Sequence, residues 1–399
     1  MSDSETTTVQ PVEELVHHLD LFDPAHHERV SEVLKYARES ECPVIKTDAD
    51  EGYFIITTYD DLRDVANDPE TFSSVEPALR GVPVRLPPIS EDPPIHTDFR
   101  KLLNPYFSRS YLQRYEQSMR DTARELLEPL LAKGRMEFMS DFALPFTAAN
   151  LTRLVLDEKD QARLARAKDA SVRISTENTQ QAWIDLAQVA TEFLAEREAS
   201  ATQADDLLSA IGNGSVAGRP LTAEEQVGIV ATLFIGGLDT TRASLGNITR
   251  RMAEDSTIEA RLREPDWLAS DLDEFLRFES PITFLARTVT RDTEVHGCPM
   301  HAGDRVALHY ASANRDEQHF DKADELALDR KKNPHLAFGI GRHRCLGLHF
   351  ARLQIGIAIE EILDRITHVR LAPGTEVVMA NGVILAPETL PIEFDLRKG

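Results

Sequence analysis

Cysteine is scarce in this 399-residue sequence: Cys42, Cys298 and Cys345 lie far apart, with no Cys-x-x-Cys pair. That spacing excludes a disulfide framework and the usual zinc or iron–sulfur ligand sets. Basic residues are in deficit too. With 44 Lys and Arg against 67 Asp and Glu, the net charge is −23; a nucleic-acid binder needs the opposite balance. No run of eighteen apolar residues occurs, and Met1 to Gln10 is polar without a hydrophobic segment. No membrane span or signal peptide is therefore predicted, and a cytoplasmic location is expected. The doublets His17-His18 and His26-His27 read as solvated helix surface.

One cysteine stands in unusual company. Phe338-Gly339-Ile340-Gly341-Arg342-His343-Arg344-Cys345-Leu346-Gly347 sets it among three glycines, just before the apolar-periodic run Leu346, Leu348, Phe350, Leu353 and Ile357. The periodicity predicts one helix from Cys345 to Ile366 with the sulfur at its N-terminus, where unpaired amides and the dipole favour a thiolate. Gly339 and Gly341 can take positive φ and turn their amides toward the sulfur, while Gly347 removes a side chain that would block a flat ring. The loop reads as a cradle for a thiolate bound to something planar.

A second stretch conflicts with its own propensity. Leu221-Thr222-x-x-Glu225 supplies a capping box for a long helix, and inside that helix lies Gly236-Gly237-Leu238-Asp239-Thr240-Thr241. Two glycines and two threonines in mid-helix cost roughly 2–3 kcal/mol relative to alanines. Such a segment predicts close backbone approach and a local widening of the helix.

Elsewhere Asp23-Pro24 with Val30, Val33, Leu34 and Ala37 predicts a helix, Tyr53 to Thr58 a strand and Tyr59 to Ala66 a short helix. Phe72 to Pro94 is proline-dense, as lids and linkers are. His96 and Arg100 share one helix face, as do Glu274 and Arg277. Tyr111 to about Ser200 is helical almost throughout, Ser280 to Thr288 is extended, and Val377 to Phe394 with Asn381-Gly382 at its centre predicts a β-hairpin.

The cysteine loop resembles that of the cytochrome P450 family, the haem-thiolate monooxygenases, which sets a Phe, two Gly, a basic residue, the Cys and a following Gly within ten residues. Gly236-Gly237-x-Asp239-Thr240 resembles the family's oxygen-activating segment. The resemblance implies a mainly α fold with smaller β-sheets (α+β): a single haem domain over 1–399, with 1–20 a polar tail. It implies haem b with Cys345 as axial ligand, and propionate contacts from His96, Arg100, Arg287 and His343. Phe338, Gly339, Gly347, Gly236 and Gly237 would border the cofactor. Asp239 would relay protons and Thr240 would hold oxygen and water. Glu274, Arg277 and Arg330 would form a structural lock without a part in turnover.

Substrate contacts implied by the resemblance and by apolar character are Val75, Leu79, Val82 and Phe234, then Ile282, Thr283, Phe284 and Leu285, and Val383 and Ile384 at the hairpin tip. Ile174 and Trp183 are weaker candidates. The implied reaction is hydroxylation or O-demethylation of a small hydrophobic substrate by a monomer, with dioxygen and two electrons. Since nothing in the chain resembles a flavin or ferredoxin module, those electrons come from a separate ferredoxin and its reductase. Lys101, Arg109, Arg342, Arg344 and Arg352 could form the docking face. A peroxide-driven haem-thiolate enzyme and a non-enzymatic haem sensor are the alternatives.

Overall fold

The computed structural model describes residues 10–80, 85–156, 165, 166, 169, 170, 173, 179–199, 205–380 and 382–398. Its longest element is the central helix, Ala223–Glu254. The expected capping box starts it: Thr222 Oγ1 accepts from the Glu225 amide at 3.2 Å, and the Glu225 carboxylate accepts from the Thr222 amide at 2.9 Å. Arg219 donates twice to the same carboxylate, and its charge, with the Thr222 amide, holds Glu225 down at about 2 despite burial.

Around the central helix pack Leu144–Leu156 and the helix that follows the cysteine, Leu348–Leu363, through the largest apolar cluster. Gly237 permits the first crossing. A Cβ there would stand 2.8 Å from Leu151 Cδ1, closer than packed carbons come, so any side chain would push the two helices apart. The predicted close approach is present. The predicted widening is not: residues 223–254 run as uninterrupted α-helix. Thr240 bonds back to the Gly236 carbonyl at 2.8 Å, so its hydroxyl is accommodated within the regular ladder.

The β-structure is gathered in small sheets. Five strands run in the order Val44–Thr47, Tyr53–Ile56, Arg305–His309, Phe284–Val289, Phe72–Ser73. Arg305–His309 is parallel to Tyr53–Ile56 and antiparallel to Phe284–Val289, with Val306 opposite Arg287. This central position brings Arg287 into the interior. Ile366–Leu371, Pro391–Leu396 and Arg135–Glu137 form a second sheet.

Several element boundaries differ from expectation. The Asp23-Pro24 signal starts only a 3₁₀ turn, with Asp23 capping the Ala25 amide, and the helix proper is Val30–Glu39. The polar tail is shorter than 1–20: Val12–Leu15 is helical, and Leu15 and Leu19, four apart, are buried with Val33, Leu34 and Ile55. The cysteine helix begins at Leu348 and gives way to a strand at Ile366. The C-terminal hairpin is brief. Met379–Ala380 pairs with Ala386–Pro387, while Pro391–Leu396 leaves to join the second sheet; Asn381 lies outside the described residues.

Candidate functional site

Cys345 sits between the glycine loop and the helix cap. Its amide donates to the Phe338 carbonyl at 2.8 Å, closing the loop on itself, and Gly347 is the helix N-cap. Gly339 and Gly341 have φ of +65° and +70°. At Gly341 a Cβ would come within 2.6 Å of Asn67 Oδ1, so the loop lies against the Tyr59–Asn67 helix and glycine is required twice over. The expected direction of the amides needs correcting: the Gly339 amide bonds the Leu336 carbonyl, and it is the amides of Gly347 and Leu348 that address the sulfur.

The residue keeps accessible surface although its sulfur is enclosed by protein atoms. Burial pushes its thiol up. The amides of Gly347 and Leu348 and the guanidiniums of Arg100 and Arg344 pull the other way without prevailing. A thiol so placed is one that a bound metal cation would deprotonate.

Four basic side chains converge beside this loop. The rings of His96 and His343 are 4.2 Å apart between centroids, and both sense the charges of Arg287 and Arg100. Burial, aided by those cations, lowers His96 to about 4 and His343 to about 2, so both imidazoles are neutral. The Nε2 atoms of both are buried without a hydrogen-bond partner among the described residues. Asp92, the acid nearest His96 in effect, is engaged with Ser73 Oγ and the Ser74 amide. Arg100 donates to the Arg344 carbonyl at 2.7 Å, tying this cluster to the cysteine loop.

Behind the loop is a buried ion-pair network. Glu274 and Arg277 are fully buried and paired through two bonds of 2.8 Å. Arg330 Nε donates to Glu274 Oε2 at 2.8 Å, and Asn333 and the Ala327 amide satisfy the same carboxylate. Arg277 also donates to the carbonyls of Asn314, Ala323 and Glu325. Every hydrogen-bonding position of the pair is used, which is what makes burying it tolerable. Nearby, Asp273 meets His335 at 3.0 Å and Arg352.

On the central helix, Gly236 has open space where a Cβ would stand, in contrast to Gly237. Thr240 lies one turn on. Asp239 is partly buried and paired with Arg242 at 3.2 Å.

The expected substrate wall divides. Ile282 bridges to Ile384, and the Thr283 amide donates to the Val383 carbonyl at 3.0 Å, so these four residues form one unit. Thr283 Oγ1 is committed to the Gly382 carbonyl. Leu285 and Leu79 are half-buried and Phe234 is buried. Phe284 is core: it meets Phe22 edge-on at 5.6 Å and packs near His309. Val75 is 57% exposed. Val82 and Ile174 lie outside the described residues. Trp183 lines a separate cavity of about 200 Å³ with Arg85, Leu186, Val227 and Gly228.

A thiol on a glycine loop, with two neutral imidazoles and the guanidiniums of Arg100 and Arg287 beside that loop, is a donor set that fits a metal-bearing ring with acidic arms. Comparison with known proteins agrees. Residues 268–391 match the model of the family Cytochrome P450. A steroid C26-monooxygenase of Mycolicibacterium smegmatis is 32% identical over 358 residues, which is 86% of this chain and 88% of the relative. Among solved structures, CYP101J2 matches with a TM-score of 0.85 at 27% identity, covering 94% of this chain and 96% of that one. CYP108D1 from Novosphingobium aromaticivorans matches at 0.83 and 25%, covering 94% and 97%.

The chain belongs to the cytochrome P450 family. It is a monooxygenase of that family, with the expected mainly α fold and small sheets, and its cofactor is haem b. No described helix is long and apolar enough to cross a membrane.

Proposed function

We propose that residues 1–399 form one haem domain, acting as a monomer, which hydroxylates or O-demethylates a small hydrophobic molecule with electrons from a separate ferredoxin. The supporting observation is the pair of buried Nε2 atoms, of His96 and His343, that have no hydrogen-bond partner among the described residues, close to the loop that carries Cys345. Cys345 would bind the haem iron, and His96, Arg100, Arg287 and His343 would hold the two propionates. Phe338, Gly339, Gly347 and Gly236 border the ring, and Gly237 serves the site through helix packing. Held by a thiolate, haem b would supply the activation of dioxygen.

The chain supplies protons and position. Thr240 gives its hydroxyl hydrogen to the Gly236 carbonyl, leaving the oxygen as an acceptor toward the space above Gly236. Asp239 carries a proton between solvent and that space, and its pairing with Arg242 holds the carboxylate in place. Ile282, Leu285, Val383 and Ile384 exclude water and orient the substrate, with Leu79, Val82 and Phe234. An aromatic or terpenoid skeleton suits such a wall, and relatives that include the Mycolicibacterium smegmatis protein are named for a steroid. Glu274, Arg277 and Arg330 hold the loop and take no part in turnover.

The test is spectroscopic. The reduced, haem-loaded protein under carbon monoxide should show its Soret band at the thiolate position, and Cys345→Ala should lose it. A Soret band that stays at the thiolate position in the variant would overturn the assignment. The acid–alcohol pair on the central helix favours dioxygen over a peroxide-driven route; turnover with a ferredoxin and reductase but not with peroxide separates the two. A substrate-induced spin-state shift separates enzyme from sensor.

A further inference from the structure

Asp273 stands one residue before Glu274 on the helix Leu272–Glu279, and its partners come from two other segments. His335 Nε2 lies 3.0 Å from Asp273 Oδ1, and Arg352, from the helix Leu348–Leu363 that follows the cysteine, donates to the same oxygen. The other ring nitrogen of His335, Nδ1, accepts from the Ala337 amide at 3.2 Å. Nδ1 therefore carries no hydrogen, which puts the ring hydrogen on Nε2, pointing at Asp273. Only 6% of the His335 side chain is exposed, which leaves little room for water to replace either bond. Burial pushes the Asp273 carboxyl up, but His335 and Arg352 prevail and hold it below the usual carboxylate range.

These contacts close a circuit around the base of the cysteine loop. Ala337 leads directly into Phe338, whose carbonyl accepts from the Cys345 amide at 2.8 Å. The Phe338 ring is 5.9 Å from the His335 ring between centroids, and the Arg352 guanidinium lies over it at 5.7 Å. Leu336, between the two, gives its amide to Asn314 Oδ1 at 2.6 Å, and its carbonyl accepts from Gly339. We propose that His335, steadied by Asp273, is a positioning residue for the Cys345 sulfur: its Nδ1 fixes the backbone at Ala337, and with it the Phe338 carbonyl that receives the Cys345 amide. The inference rests on Cys345 being the metal-binding sulfur. His335 acts on that sulfur only through the backbone, as a partner one step behind a metal ligand does when it fixes the ligand's orientation. Its task differs from that of Glu274, Arg277 and Arg330, which bind the segments behind the loop together; Asp273 and His335 set the aim of one residue within it.

The haem-loaded protein is reduced under carbon monoxide, and the lifetime of the Soret band at the thiolate position is followed at fixed temperature, with circular dichroism recording the helix content over the same interval. His335→Ala should shorten that lifetime on the order of tenfold while the helix content holds. Two amide side chains then separate positioning from packing. Asparagine places its oxygen where Nδ1 stood and can still accept from Ala337; glutamine fills the volume better but reaches only toward Asp273. His335→Asn should therefore keep most of the lifetime and His335→Gln should lose it, whereas a space-filling role requires the reverse order. Asp273→Ala, which leaves the ring in place without its anchor, should shorten the lifetime by a smaller factor, and it decides the matter if His335→Ala does not fold. A lifetime unchanged in His335→Ala or in Asp273→Ala, or a glutamine variant that outlasts the asparagine one, would overturn the proposal. A wild type that never shows the thiolate band would instead remove the metal-binding sulfur on which the proposal rests.

Discussion

At Thr240 a single hydroxyl is asked to donate and to accept, and the helix settles which. Its hydrogen goes to the Gly236 carbonyl at 2.8 Å, so the oxygen's lone pairs are what the site can use. Thr240→Ser should then keep product formed per electron pair near wild type, whereas Thr240→Ala should send most of the electrons to peroxide. Coupling unchanged in the alanine variant would remove Thr240 from the mechanism. Asp239→Asn retains the shape but carries no proton; turnover should fall on the order of 100-fold with an enlarged solvent isotope effect. These residues were legible in the sequence because mid-helix glycine and threonine violate propensity and so announce a purpose. The approach of Gly341 to Asn67 was not, since no local pattern records which distant segments a fold will bring side by side. The direction of the amides at Cys345 was hidden for a related reason: positive φ at Gly339 shapes the turn, but its amide is taken by Leu336.

Elements show the same division between local signals and tertiary ones. Glu274 and Arg277 could be read as one helix face, but only burial distinguishes a surface pair worth a few tenths of a kcal/mol from an interior one. Here both are fully buried, and Arg330, Asn333 and Ala327 complete the carboxylate. Glu274→Gln would leave two guanidiniums without a counter-charge and should cost about 3–5 kcal/mol in urea unfolding, with haem retention falling in parallel. A cost below 1 kcal/mol would mean the pair is dispensable. His309 gives an element-scale pH dependence. At the end of the inner strand Arg305–His309 it caps the next helix, accepting from the Ser312 amide at 3.1 Å. Burial, with Arg38 close by, lowers it from 6.5 to about 3. Its unfolded form takes up a proton below about pH 6.5 while the folded form does not, so its stabilising contribution is present above that pH. The contribution is lost as pH falls from 6.5 toward 3. Between pH 6.5 and 5 the loss should be about 2 kcal/mol. His309→Asn, which can still cap, should flatten the wild-type stability difference between pH 7 and pH 5 by that amount.

For the molecule as a whole, the fold class followed from the family resemblance that two motifs carry, whereas boundaries moved where tertiary pairing decided. Pro391–Leu396 joins Ile366–Leu371 and Arg135–Glu137 instead of closing the hairpin, because a strand pairs with whichever edge the fold presents. Charge is the property that belongs to no element. The chain carries −23 overall, so an acidic ferredoxin is repelled everywhere except at a local cationic patch. Of the five basic residues flanking the cysteine, Lys101 is paired with Asp98 and Arg352 with Asp273. Arg109, Arg342 and Arg344 are exposed and have no carboxylate within 4 Å among the described residues. Unpaired cations in an acidic field steer a negative partner over a Debye length of about 8–10 Å at moderate salt. Reduction by an acidic ferredoxin should therefore slow on the order of tenfold between low and 0.5 M salt, through association and not through the electron-transfer step. Arg109→Glu should reproduce much of that slowing at low salt while leaving the carbon monoxide spectrum intact. A rate indifferent to both salt and charge reversal would move the docking surface away from the cysteine loop.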